Sequence, residues 1–390
     1  SGDLVDFTWA NLSSAQQTEL NKDVLDNVDT LGSARVDYLR GSRVNESDTG
    51  FRERPFILGD IIHSSPVYVG PPARNRLDDV EGQSPASASS YTTFKATHAN
   101  RRALVFVGAN DGMLHAFDAA DGEEHFAFIP SAVVPNLRQL TYPGYSHRFY
   151  VDGPSVTGDI FDGTSWRTIL VGTLRKGGKS VFALDVTDPD NITLLWEFSN
   201  ADLGYVYNKP AITRLHNGKW GVVIGNGYNS ANDRGVLFVL DAAAGTVIKK
   251  FDTAQGSFAQ PNGLASPSVV DVNGDLITDY VYAGDLHGNV WRFDLINTTL
   301  VEAIDGTLAA PARSNASSGT WKIAYGGEPL FKALDEASPS NPQPITANVV
   351  VAPHESGTGV IVMFGTGKYL ESADAQVDTV RVQTYYGIWD

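Results

Sequence analysis

Cysteine is absent from this 390-residue chain. That excludes thiol catalysis, cysteine-ligated zinc and disulfides. It fits a secreted or periplasmic chain that is stable without staples. No apolar run approaches the roughly 20 residues that cross a bilayer as a helix, so the chain is not expected to span a membrane. No signal peptide is visible, and Ser1 rather than Met opens the chain, as expected of a piece cut from a longer protein. Positive charge is scarce: 29 Lys and Arg stand against 45 Asp and Glu, a net charge of −16. Such a surface repels nucleic-acid backbones and attracts divalent cations. Neither an H-E-x-x-H helix motif nor a G-x-S-x-G elbow occurs. R-K-G-G-K-S (175–180) fails as a phosphate loop, because the first glycine of that motif would fall on Thr173 and a strand follows. G-N-G-Y-N-S (225–230) ends on Ser230 where a dinucleotide fingerprint needs glycine, and reads as a loop between strands.

What is present is globular: 42% of residues are apolar and 19% charged. Residues 1–50 read as a helical lead-in. Ser13 and Gln16 make a capping box, Leu20, Val24, Leu25 and Val28 form one apolar stripe, and Gly41 ends the helical pattern. G-Q-S-P-A-S-A-S-S-Y-T-T (82–93) reads as an exposed loop.

Residues 51–390 form the main domain. Here the chain repeats a strand ending in Val-x-x-Gly or a close relative, a polar turn, and an alternating strand ending in Asp. The copies span 104–128, 168–186, 221–251 and 279–295, with a fifth at 359–370 continued by Y-Y-G-I-W-D (385–390). A proline leading into a short stretch with β-branched residues, S-S-P-V-Y-V (64–69), D-G-P-S-V-T (152–157), N-K-P-A-I-T (208–213) and A-S-P-S-V-V (265–270), introduces four of them. The glycines Gly108, Gly172, Gly225, Gly284 and Gly365 recur at intervals of 53 to 81 residues. That period suits a four-stranded propeller blade and exceeds a sandwich strand pair, the competing architecture. Because a propeller must close its ring, the last strand is expected to share a blade with strands near 56–69. Asp118, Asp185, Asp241 and Asp294 all end third strands, and their repetition points to capping turns. His115 and His287 read as surface or satisfied core residues.

D-V-N-G-D-L-I-T-D (271–279) stands apart. The hairpins at the same place in other copies, G-D-I-F-D-G-T-S-W (158–166) and R-L-H-N-G-K-W (214–220), are ordinary glycine-containing turns. Only this copy carries four spaced oxygen side chains in an Asp-x-Asn-x-Asp-x-x-x-Asp pattern, so turn geometry does not demand them. Counting Asp271 as the first position of a calcium loop, Asn273, Asp275 and Asp279 fall at the third, fifth and ninth, and Ile277 supplies its carbonyl from the seventh. The loop glycine is at the fourth position, and Tyr282 stands where the bidentate Glu would be. Calcium is therefore expected, with water completing the shell and an affinity in the micromolar to millimolar range. An Asx-bonded turn is the alternative. D-V-T-D-P-D-N (185–191) is also acidic, but Pro189 interrupts ligand spacing.

S-P-S-V-V-D-V-N-G-D-L-I-T-D-Y-V-Y-A-G-D-L-H-G-N-V-W-R-F-D-L (266–295), with L-V-F-V-G-A-N-D-G-M-L-H-A-F-D-A upstream and V-M-F-G-T-G-K-Y-L downstream, resembles the C-terminal propeller of the PilY/PilC type IV pilus biogenesis proteins. The similarity runs over roughly residues 50–390. It implies an all-β, modified seven-bladed, quinoprotein-like propeller. It also implies a non-enzymatic regulator whose calcium site, at Asp271, Asn273, Asp275, Asp279 and the Ile277 carbonyl, tunes pilus extension against retraction. Twitching motility, adhesion and virulence follow from the same resemblance. So do partners among the pilin or minor pilin subunits, a host-surface receptor, and a place on the pilus or outer membrane reached through the periplasm. The Arg-Gly-Asp tripeptide of some members is absent, since Ser42 follows Arg40 and Gly41. Two other readings stay open. A quinoprotein-like dehydrogenase would scatter its ligands across blades, and a calcium-stapled adhesin would use the ion for structure alone.

Overall fold

The computed structural model describes residues 4–47, 50–74, 76, 78–296, 317–335, 338–376 and 382–390. Two compact units emerge. One comprises Ser1–Pro72, His98–Thr157 and Ile169–Ser199, and the other Ala73–Thr97, Gly158–Thr168 and Asn200–Asp390.

Most of the regular structure among the described residues is antiparallel sheet. β1 (Val67–Val69), β2 (Leu104–Gly108), β3 (Leu114–Asp118) and β4 (Glu124–Phe128) pair in that order. β5 (Ser155–Phe161), β6 (Trp166–Thr173), β7 (Val181–Asp185) and β8 (Thr193–Phe198) repeat the arrangement, and the division between the units falls within β5 and β6. β9 (Ala211–Arg214), β10 (Trp220–Gly225), β11 (Val236–Asp241) and β12 (Val247–Asp252) repeat it again. β13 (Ser268–Val270), β14 (Tyr280–Gly284) and β15 (Asn289–Asp294) are followed by the short β16 (Lys322–Ile323) and β17 (Phe331–Lys332), both paired with β15. β18 (Leu334–Asp335) and β19 (Ser338–Pro342) form a ribbon, and β20 (Val350–Pro353), β21 (Val360–Gly365) and β22 (Tyr385–Trp389) a last sheet. The up-and-down order within each sheet is that of a propeller blade. Five sheets of three or more strands lie among the described residues, within the seven that the resemblance implies.

The repeat cues have physical causes. Pro66, Pro154, Pro210 and Pro267 each immediately precede the first strand of a sheet, an edge position where no ladder donor is lost. The recurring glycines stand where a neighbouring segment comes too close for a side chain. A Cβ on Gly108 would lie 2.1 Å from the Val151 carbonyl oxygen, one on Gly225 2.1 Å from that of Ala265, and one on Gly284 2.3 Å from Ile345. Gly365, in the last sheet, meets only the Tyr385 ring at 3.7 Å. Asp118, Asp185 and Asp241 do cap turns, each accepting the amide two residues on at 2.8–3.0 Å. Asp294 departs from this pattern: its Oδ1 accepts from Arg292 Nε at 2.9 Å.

Three expectations are corrected. The first helix, α1 (Ser14–Leu20), has the predicted Ser13–Gln16 capping box but does not reach Val28. Asp23 accepts the amides of Leu25 and Asn27 and turns the chain away, leaving Leu25 and Val28 exposed, before α2 (Gly32–Leu39) begins. The serine-rich stretch is not wholly an exposed loop. Ser90 and Tyr91 are buried, α3 (Tyr91–Thr97) starts there under an Asp78 cap, and Tyr91 donates its hydroxyl to Asp159 at 2.6 Å. Finally, β22 pairs with β21 and β1 with β2; among the described residues they do not share a sheet.

His115, on β3, is a buried and satisfied histidine. Its Nδ1 lies 2.5 Å from Glu124 and its Nε2 3.1 Å from Asp111. Burial disfavours the imidazolium, but hydrogen bonds and charge from Asp111 and Glu124 outweigh it and hold the pKa above the ordinary histidine value. A folded-state pKa above the unfolded one stabilises the fold fully below about pH 6.5 and loses that contribution as pH rises through the folded value. His115→Gln should therefore flatten the decline in urea midpoint as the pH rises above about 6.5. An unchanged decline in the variant would refute this role.

Candidate metal centre

The loop 271–279 connects β13 to β14. Asp279 is held at its end by backbone pairing: its amide donates to the Val270 carbonyl at 2.9 Å and its carbonyl accepts the Leu295 amide at 2.8 Å. Gly274 and Leu276 take left-handed backbone, at φ +78° and +68°. The leucine thus adopts a conformation that usually favours glycine, and the chain can wrap its side chains toward the interior.

Most of the oxygens have hydrogen-bond partners. Asp271 Oδ1 accepts the amides of Asn273, Gly274 and Asp275, and its Oδ2 that of Leu276 at 2.7 Å. Asn273 accepts the Asp275 amide at 3.0 Å, and Asp275 Oδ1 the Ile277 amide at 2.9 Å. Asp279, fully buried, accepts the Val272 amide at 2.8 Å on one oxygen and His216 Nε2 at 2.8 Å on the other.

Asp275 Oδ2 is the exception, being buried without a hydrogen-bond partner. Desolvation is the main cause that raises the Asp275 pKa above the ordinary carboxylate range, and the charges of Asp271 and Asp279 add to it. Asx-type bonding therefore explains Asp271, Asn273 and half of Asp275, but not this oxygen. A buried carboxylate oxygen facing like charge is costly unless a cation or donor meets it. Oδ2 of Asp271 and both oxygens of Asp279 take one hydrogen bond each, so acceptor capacity remains. The donor set is all oxygen and suits a hard cation. Among the described residues, no group of three or more Asp, Glu or His side chains is already drawn together as a metal cage. The acidic stretch 185–191 is otherwise employed: Asp185 and Asp188 close turns, and Asp190 pairs with Arg102 at 2.9 Å.

The sequence reading missed His216. It lies on the hairpin between β9 and β10, the sister turn that looked ordinary. Leu215 bridges Thr278 in parallel, the Thr278 amide donates to the Arg214 carbonyl at 2.9 Å, and the Thr213 and Thr278 hydroxyls lie 2.5 Å apart. This zipper brings a buried imidazole onto the last carboxylate of the loop. The available signal was positional, a histidine at the tip of the hairpin one repeat earlier.

The family model for the PilY1 beta-propeller domain matches residues 58–390. The chain belongs to the PilY1 β-propeller family. It is 48% identical over 99% of its length to the type IV pilus biogenesis factor PilY1 of Pseudomonas aeruginosa strain PAK, of which it covers 33%. It is 40% identical over 99% of its length to a PilY1 homolog of Xylella fastidiosa strain Temecula1, of which it covers 28%. The chain thus spans about a third of the length of these PilY1 relatives. The crystal structure of the Pseudomonas aeruginosa PilY1 C-terminal domain superposes with a TM-score of 0.70 at 46% identity, over 83% of this chain and 64% of that one. The sheets described above are those of an all-β, propeller-type PilY1 fold. Among the described residues, no helix is long and apolar enough to cross a membrane.

Proposed function

We propose that this chain is the calcium-binding part of a type IV pilus biogenesis factor, a non-enzymatic regulator that acts with pilus components at the cell surface and tunes pilus extension against retraction. The observation that carries the calcium assignment is the partnerless Asp275 Oδ2 buried beside Asp271 and Asp279. Support for the pilus assignment comes from the names of relatives that match nearly the whole chain.

Asp271, Asn273, Asp275 and Asp279 would hold the ion with side-chain oxygens and Ile277 with its carbonyl. Calcium bound there supplies positive charge that offsets three carboxylates. Asp271 organises the first half of the loop through four amides, while Asp279 ties the second half to His216 and thus to the neighbouring hairpin. Relieving repulsion among the carboxylates tightens both halves and alters the surface offered to a partner. At a hundredfold excess over Kd the bound form gains about 2.7 kcal/mol, enough to shift a two-state population about a hundredfold.

The test pairs calorimetry with a cellular readout. Asp271→Ala should abolish the heat of calcium binding in a chain that remains folded. In the full-length factor, the same substitution should change surface pilus number and twitching in calcium-replete medium. Unchanged binding in Asp271→Ala and Asp279→Ala rejects the site. Lost binding with unchanged piliation leaves a structural staple and rejects the regulatory role.

A further inference from the structure

A second feature, in the first unit, is independent of the acidic loop. A groove of about 980 Å³ is walled by β4, β8 and the segment 4–8. Its apolar surface includes Val5, Ile57, Phe126, Ile192 and Leu194, of which Val5 and Ile57 are exposed. β4 pairs with β3 on one side and, among the described residues, its other edge has no strand partner and makes no backbone–backbone hydrogen bond, the His125 ring alone reaching the Pro189 carbonyl at 3.0 Å. Such an edge carries amides and carbonyls ready for another strand.

Charge narrows the occupant. Asp6, Glu124 and Glu197 line the groove, and neither Asp6 nor Glu197 forms an ion pair among the described residues. The nitrogen-bearing side chains along it already have partners: Arg40 donates to the Phe7 carbonyl, His115 lies between Asp111 and Glu124, and His125 lies against Arg102 and Asp190. An acidic, apolar groove with a free strand edge selects a basic partner that is itself extended.

We propose that this groove takes an extended peptide segment of a partner protein, added as a strand along the outer edge of β4, with apolar side chains at alternate positions and Lys or Arg between them. Backbone pairing supplies the strand geometry, the apolar wall receives every second side chain, and the carboxylates select the basic ones.

The probe is a fluorescein-labelled peptide of about eight residues alternating Lys and Val, titrated onto the 390-residue chain by anisotropy. Three controls accompany it: a Glu–Val peptide, a Lys–Val peptide with prolines replacing alternate residues, and the chain bearing Asp6→Lys with Glu197→Lys. The Lys–Val peptide should bind, and the Glu–Val and proline peptides should bind at least about tenfold more weakly. The double variant should reverse the preference, and amide exchange of residues 124–128 should slow on binding. Absence of binding overturns the proposal, as does equal binding of the Lys and Glu peptides, undiminished binding of the proline peptide, or protection elsewhere than β4. If β4 amides are already protected by self-association that dilution relieves, the occupant is a second copy and the partner assignment falls. Protection mapping is read on the unmodified chain, so the test survives a variant that fails to fold.

Discussion

Replacing Asp285 by Ala should lower stability by about 3–5 kcal/mol, a larger loss than any single change in the acidic loop. Asp285 is fully buried after β14, in the A-G-D-L-H-G-N motif. Its Oδ1 accepts the amides of His287 and Asn289, both at 2.9 Å. Its Oδ2 accepts Asn262 Nδ2 at 3.0 Å and both Asn289 Nδ2 and Trp291 Nε1 at 2.9 Å. Removing the carboxylate leaves buried donors unpaired, and the smaller side chain leaves a cavity beneath Trp291. Asp285→Asn keeps the shape but turns an amide NH₂ toward groups that are themselves donors, so it should cost less than Ala yet remain clearly destabilising. Denaturant midpoints of the two variants at constant slope provide the measurement. Calcium binding should persist in both, because Asp285 lies outside the proposed ligand set. A loss below about 1 kcal/mol for Asp285→Ala would show that water satisfies those donors.

The two acidic motifs show where sequence reading succeeds and where it stops. The repeats were legible because each cue reflects a local demand: proline before an edge strand, glycine where a neighbour presses close, Asp at a tight turn. The oxygen spacing of the acidic loop was equally local, since its amide bonds join residues within five positions of each other. Nothing local marks Asp285 as different from the aspartates that cap turns. Its donor Asn262 lies 23 positions away and arrives only when the chain is folded. His216 lies 63 positions from Asp279 for the same reason. Helix length was misread because the stripe at Val24, Leu25 and Val28 obeys helical spacing, whereas Asp23 offers the backbone a competing turn. Y-Y-G-I-W-D was rightly a strand and wrongly paired, because pairing depends on the rest of the sheet and not on the strand alone.

Asp275→Asn should act in opposite directions with and without calcium. In chelator, the substitution removes a buried charge from beside Asp271 and Asp279 while the remaining oxygen can still accept the Ile277 amide. The new NH₂ offers donors to neighbouring carboxylates, so the metal-free chain should gain stability on the order of 1 kcal/mol. With calcium at a hundred times the wild-type Kd, the wild type should gain about 2.7 kcal/mol and the variant only a small fraction of it. The order of denaturant midpoints should therefore invert between the two buffers. Asp271→Ala is the contrasting case: it removes the acceptor of four loop amides and should destabilise the chain in either buffer. An Asx turn with no role for a cation predicts no calcium shift in any of the three proteins. A loop that holds calcium predicts the inversion, because the feature that makes Asp275 costly in the metal-free chain, an unmatched buried negative oxygen, is the one that a cation would match.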